Sequence, residues 1–302
     1  MTILKVVPRG YCYGVVDAMT MAKRAAQDPQ VPRPIYVLGQ LVHNHHAVQE
    51  LESHGIFTVD DGSRLDLLER IPDGATVIYT AHGVSPAVKK RAQERGLYTI
   101  DATCPDVLKT HVLVRDKVKD GYAIIYIGSK GHPEPEGAMG EAPADRVFLV
   151  SCTEDVATIP FPSDSKIAVV TQTTLSQWDT AAIIDAILER YPNGEVHNEI
   201  CLATQLRQEA AVKAAESVDM VVVVGDRRSN NSNRLVEVVE NIANTRSVRV
   251  ESANDLRQEW FENVRNVAVT AGSSTPTRIT REVILWLESL PGLHVEARSP
   301  KT

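Results

Sequence analysis

Cysteine is scarce in this chain, four in 302 residues, too few for the dense disulfide framework of small secreted domains, so a reducing compartment is expected. Long apolar runs are missing as well: no stretch of about 18 apolar residues marks a membrane span. The N-terminal Met1-Thr2-Ile3-Leu4-Lys5 reads as a strand, without the charged region and long apolar run of a signal peptide. These absences lead us to expect a cytoplasmic protein. The formal charge of −7 argues against general nucleic-acid binding, where clustered Lys and Arg would be needed. An anionic ligand must then be held by a local site. At about 150 residues per domain, the length suggests two or three units.

Six apolar, β-branched runs each stop at a polar cluster. Ile35–Leu38 precedes Val42-His43-Asn44, Thr76–Tyr79 precedes Ala81-His82-Gly83-Val84-Ser85, and Ala123–Ile127 precedes Gly131-His132-Pro133-Glu134. Ile167–Val170 precedes Thr171-Gln172-Thr173-Thr174-Leu175-Ser176, Val221–Val224 precedes Ser229-Asn230-Asn231-Ser232, and Val267–Val269 precedes Gly272-Ser273-Ser274-Thr275-Pro276. Continuous runs of this kind suit strands buried on both faces, in parallel sheets covered by helices. Ala181–Leu188 and Arg234–Glu240 carry the helical spacing that such helices need. The repeat is strand, polar turn, helix, and it predicts three α/β domains with two such units each.

Ligands of open α/β sheets collect beyond the carboxyl ends of the strands, where all six polar clusters fall. His43, His82, His132, Thr173, Thr174, Ser229, Asn231 and Ser274 are mostly neutral hydrogen-bonding groups. With free N–H groups at helix N-termini they suit a diphosphate. Taken singly, each Ser, Thr or Asn is a helix cap and each His a surface residue; three His after three strands favour a shared pocket. In Gly131-His132-Pro133-Glu134-Pro135-Glu136-Gly137 the prolines bias their predecessors toward extended geometry. This predicts a stiff loop presenting an imidazole and a carboxyl for proton delivery, against the plainer reading of a surface turn.

Cys12, Cys104 and Cys201 are separated by 92 (104 − 12) and 97 (201 − 104) residues. Such gaps suit no zinc finger, but similar units around a common centre would gather three thiolates. Three ligands leave a four-iron cluster with one iron not ligated by protein. Cys152 breaks the spacing, between a strand-like run and a helix start, and is expected merely to pack. Two other classes stay open: an electron carrier in which Cys152 completes a four-cysteine site, and a hydrolase with zinc on His43, His82 and His132 and Glu134 as base.

These motifs, with Pro8-Arg9-Gly10-Tyr11-Cys12-Tyr13-Gly14-Val15, Asp101-Ala102-Thr103-Cys104-Pro105 and Asn231-Ser232-Asn233-Arg234-Leu235, occur in an order that closely resembles the 4-hydroxy-3-methylbut-2-enyl diphosphate reductase (IspH/LytB) family over nearly the whole chain. The resemblance implies three similar α/β domains in a pseudo-threefold trefoil around a central iron–sulfur cluster. The expected domains are 14–104, 105–199 and 200–302, the last completed by the N-terminal strand 1–13. It implies a [4Fe-4S] cluster on Cys12, Cys104 and Cys201 whose fourth iron binds the hydroxyl of an allylic diphosphate. Glu134, Thr173 and His132 are the implied catalytic residues. His43, His82, His132, Thr174, Ser229, Asn230, Asn231 and Ser274 are the implied substrate-binding residues. A flavodoxin or ferredoxin is the implied electron donor. Asn230 stands where members carry Ser, and Tyr13 where some carry a smaller residue.

Overall fold

The computed structural model describes residues 1–290; positions 291–302, the end of the third expected domain, lie outside the described residues. The chain opens with β1 (Thr2–Lys5) and α1 (Tyr13–Gln27). Next come β2 (Ile35–Leu38), α2 (His45–Glu52), β3 (Ile56–Val59), α3 (Arg64–Glu69), β4 (Thr76–Tyr79), α4 (Pro86–Glu94), β5 (Tyr98–Asp101) and α5 (Pro105–Lys119). A second series follows: β6 (Ala123–Ile127), α6 (Pro133–Met139), β7 (Val147–Val150), β8 (Ile167–Thr171), α7 (Gln177–Arg190), β9 (Glu195–His197) and α8 (Leu202–Ala215). The last is β10 (Met220–Val224), α9 (Asn230–Asn241), β11 (Ser247–Val250), β12 (Asn266–Ala271) and α10 (Thr277–Glu288).

The strands form three four-stranded sheets, ordered β3-β2-β4-β5, β7-β6-β8-β9 and β11-β10-β12-β1. Every pairing is parallel. One topology is thus used three times, with β1 supplying the fourth strand of the third sheet. In the first two sheets the chain leaves the first central strand toward one edge and the second central strand toward the other, and in the third β10 leads to the β11 edge while β1, from the start of the chain, occupies the edge beside β12. The reversal lies between β2 and β4, β6 and β8, and β10 and β12. In open α/β sheets such a reversal is where the following loops part and ligands bind.

The six apolar runs of the sequence are these six central strands. Side chains alternate between sheet faces, and both faces are covered. In the third sheet Met220, Val222 and Val224 pack with Ile279, Val283 and Leu287 of α10. Val221 and Val223 pack with Ala211 and Ala215 of α8 and Leu235 and Val239 of α9. In the second, Ile125 and Ile127 join one cluster and Ile124 and Tyr126 another. Burying one such side chain contributes roughly 1.5–3 kcal/mol, so the central strands carry the cores and hold the loops that follow them.

By compactness the chain divides in two: one unit holds Met1–Tyr13, His43–Ala47 and the chain from Leu202, the other Gly14–Val42 and Val48–Cys201. The first two sheets lie in the second of these units. Among the described residues no helix is long and apolar enough to cross a membrane.

Candidate functional site

The cysteines occupy one position three times. Cys12, Cys104 and Cys201 each stand directly before the helix that follows the fourth strand of a sheet, α1, α5 and α8. Each backbone N–H donates to the carbonyl two residues past the adjacent central strand: Cys12 to Ser273 at 3.2 Å, Cys104 to Ala81 at 3.0 Å and Cys201 to Thr173 at 3.0 Å. A cysteine before a helix sits beside the N–H groups of the first turn that have no partner within the helix. Gly14, in the first turn of α1, lies directly on Cys104: a Cβ there would stand 2.5 Å from the sulfur. Cys104 is thus beside two helix N-termini, its own and that of α1. Cys152 is different. It does not pack but is exposed, capping the short 3-10 turn Thr153–Thr158 through a reciprocal pair with Asp155. Its burial was expected from the apolar run before it, but that run is edge strand β7, which ends at the buried Val150, and the chain turns to solvent at Ser151.

In the unit with the first two sheets, Glu134 is 1 % exposed. The Pro-bracketed segment is no loop: His132 is the N-cap of α6, Pro133 opens the helix and Glu134 follows. Proline is tolerated in a first turn because the N–H it lacks would have no partner there. The Thr173 N–H donates to Glu134 Oε1 at 2.7 Å. Burial raises the carboxyl to about 7, prevailing over the Thr173 backbone and hydroxyl bonds, while Asp106 adds a smaller upward push. Thr173 also links Glu134 to Cys201, since its N–H holds the Glu134 carboxyl and its carbonyl receives the Cys201 N–H.

Gln172 organises the rest of this pocket. Its Oε1 accepts from the Ser129 N–H at 2.9 Å, which fixes the amide orientation. Its Nε2 is then 3.2 Å from His132 Nδ1 and donates to Thr174 Oγ1 at 2.9 Å. His132 Nδ1 also accepts from the Glu134 N–H at 3.2 Å. With Nδ1 an acceptor twice over, the neutral ring carries its proton on Nε2. His82 meets His132 edge to face, ring centroids 5.2 Å apart. Sequence reading passed over Gln172 because an amide after a strand resembles any polar turn residue. Tyr126 is also buried nearby, its phenol pushed well above the usual value by burial and then by the charges of Glu134 and Glu199.

In the unit with the third sheet, Ser274 Oγ donates to the His43 carbonyl at 3.0 Å and lies 3.1 Å from Ser229 Oγ. Ser229 is the N-cap of α9, so capping and clustering hold together. Asn230 opens that helix, and Asn231 Oδ1 accepts from Thr204 Oγ1 at 3.1 Å. Helix N–H groups, hydroxyls and amides here can bind an anion without net charge. Tyr13 is half-exposed at the start of α1.

Residues 3–288 match the family model described as LytB protein. A 4-hydroxy-3-methylbut-2-enyl diphosphate reductase of Symbiobacterium thermophilum is 56% identical over 298 residues, 99% of this chain and 100% of that protein. A protein of the same name from Halalkalibacterium halodurans is 54% identical over 301 residues, 100% of this chain and 95% of that protein. Among solved structures, the E-1-hydroxy-2-methyl-but-2-enyl-4-diphosphate reductase from Plasmodium falciparum matches with a TM-score of 0.89 and 35% identity, covering 99% of this chain and 93% of that one. A second, the (E)-4-hydroxy-3-methyl-but-2-enyl diphosphate reductase described as the terminal enzyme of the non-mevalonate pathway, gives 0.66 and 30%, covering 96% and 99%. With a family model spanning nearly its whole length and relatives more than half identical end to end, the chain belongs to the LytB protein family.

Proposed function

We propose that the chain catalyses reductive dehydroxylation of (E)-4-hydroxy-3-methylbut-2-enyl diphosphate to isopentenyl and dimethylallyl diphosphate, the last step of the methylerythritol phosphate route to isoprenoids. Relatives that bear the reductase name over their full length support it. The observation within the molecule that supports it most is the threefold equivalence of Cys12, Cys104 and Cys201. These three residues would hold an iron–sulfur cluster, and the donor set fits: sulfur ligands before helix N-termini, with space at Gly14 kept clear for one of them. We assign a [4Fe-4S] form with one iron not ligated by protein. When bound, the cluster supplies single-electron transfer and a Lewis-acidic site for the substrate hydroxyl.

The remaining chemistry falls to the side chains. The reaction breaks one carbon–oxygen bond, consumes two electrons and two protons, and releases water. Glu134, buried and half-protonated near pH 7, gives the proton that lets the hydroxyl leave as water. Thr173 holds that carboxyl in place. His132 offers its Nε2–H, and His82 edge-on to it, His43, Thr174, Ser229, Asn230, Asn231 and Ser274 bind and orient the diphosphate. The electrons come from a flavodoxin- or ferredoxin-type donor in the cytoplasm. Stretches 14–104, 105–199 and 200–302 with strand 1–13 are proposed as three domains, one for each sheet.

Anaerobic reconstitution followed by turnover of the allylic diphosphate with a chemical reductant tests the assignment. We expect iron, acid-labile sulfide and brown absorbance in the protein, all reduced when Cys12, Cys104 or Cys201 is changed to Ser. Bound zinc without sulfide, or iron-loaded protein inert toward this substrate, would overturn it.

A further inference from the structure

Asp226 lies in the loop after β10 and is 5 % exposed, yet nothing in the reaction above uses it. Its Oδ1 accepts from the Arg228 N–H at 2.8 Å, which shapes the turn leading to Ser229. Its Oδ2 accepts from the His45 N–H at 3.0 Å and stands 3.3 Å from His45 Nδ1. The segment His43–Ala47, compact with the third sheet's unit, is otherwise tied down by the Ser274 bond to the His43 carbonyl and by His46 Nε2 at 3.2 Å from the Glu251 carbonyl. A closed ring results. His43 joins Ser274, Ser274 joins Ser229, the Ser229 N–H donates to the Asp226 carbonyl at 3.0 Å, and the Asp226 carboxylate returns to His45, two residues beyond His43.

We propose that Asp226 is a positioning residue that sets His43, Ser229 and Ser274 in mutual register as a preformed diphosphate site. The inference rests on the functional reading above and deepens it. A carboxylate close to an anion site would ordinarily repel the ligand, but both Asp226 oxygens are engaged by N–H donors, so its charge is spent on main-chain order. Burial pushes the carboxyl up, but the N–H groups of Arg228 and His45, together with the His45 ring, more than offset this and keep it below its usual value, hence ionised. Preorganisation of this kind is read in affinity, because a site already in register loses less ordering entropy on binding.

Two variants test it. Asp226→Asn keeps the size and one acceptor, but turns an amide N–H₂ toward the His45 donor. Asp226→Ser keeps a turn-forming side chain that can still cap the Arg228 N–H but is too short for His45, so it guards against a misfolded first variant. In both we expect the dissociation constant of inorganic diphosphate, measured by calorimetry on anaerobic holoenzyme, to rise about tenfold or more, the effect of one lost charge-assisted bond. KM for the allylic diphosphate should rise in parallel, with kcat within about threefold and iron per chain unchanged. The His45 amide should also exchange faster with deuterium. Diphosphate affinity within about twofold of wild type in both variants, or kcat and KM altered only in proportion to lost iron, would overturn the inference. Failure of wild type to turn over the allylic diphosphate would instead overturn the functional reading, since the calorimetric arm does not depend on turnover.

Discussion

Glu134 shows how a single residue can set conditions for the whole protein. Its carboxyl, about 7 when folded, lies above its ordinary 4.5, so ionisation opposes folding. That cost begins near pH 4.5, grows from there to 7, and is constant above at about 3 kcal/mol. Glu134→Gln should therefore be more stable than wild type at pH 8, by up to about 3 kcal/mol, and nearly equal at pH 4; chemical denaturation at the two values measures it. The same substitution should lower kcat by about 10²–10⁴ while cluster content and KM hold. Wild-type kcat should decline above about pH 7 as the acid ionises, and the residual activity of the variant should lack that limb. Cys152→Ser should leave iron content and turnover near wild type, since the cysteine is an exposed cap and Ser caps at least as well. At this scale the Glu134 segment and the three equivalently placed cysteines stood out in the sequence, because Pro, Gly and Cys are distinctive letters. Gln172 and Asp226 were not legible: each acts through what it touches across the fold, and one amide or carboxylate in a turn looks like any other.

Among the elements, legibility followed burial. Strands β2, β4, β6, β8, β10 and β12 are buried almost throughout and stand out as apolar runs. The edge strands are half open: Tyr98–Asp101 is largely exposed, Glu195–His197 has no fully buried residue, and Ser247–Val250 has one. They face solvent along one side, so their composition resembles that of loops. Helix α6 was hidden by its prolines, which the first turn accepts. The packing of α1 against Cys104 gives a test at this scale. Gly14→Ala would force a methyl to 2.5 Å from the sulfur and 3.2 Å from the Cβ of Cys104. Since α1 is backbone-rigid there, the cysteine must shift. We expect iron per chain to fall well below wild type, whereas Ala in an exposed helical position would add about 0.5–1 kcal/mol of stability. Iron and sulfide analysis of the reconstituted variant decides between these outcomes.

Over the whole molecule, one sheet topology recurs three times and the third copy is closed by β1, paired in register with β12 from Thr2–Asn266 to Lys5–Val269. Deleting residues 1–6 would strip β12 of its neighbour and leave Ile3 and Val6, both buried, out of their cores. Burial of two such side chains is worth roughly 3–6 kcal/mol, so the truncated protein should melt well below the full chain and hold less iron, as thermal unfolding and metal analysis would show.

The pairing of β1 with β12 also imposes an order on biogenesis. During synthesis the first sheet's four strands emerge together and can close early, then those of the second, but Thr2–Lys5 must wait for Asn266–Ala271. Contacts so distant along the chain form late. The Cys12 amide finds its acceptor, Ser273, only in that last stretch. Cys104 and Cys201 therefore reach their final surroundings while Cys12 is still unanchored, and a ribosome stalled before β12 would carry a chain with two fixed thiols and one loose. On the ligand set proposed above, a cluster can be completed only once β12 has paired with β1.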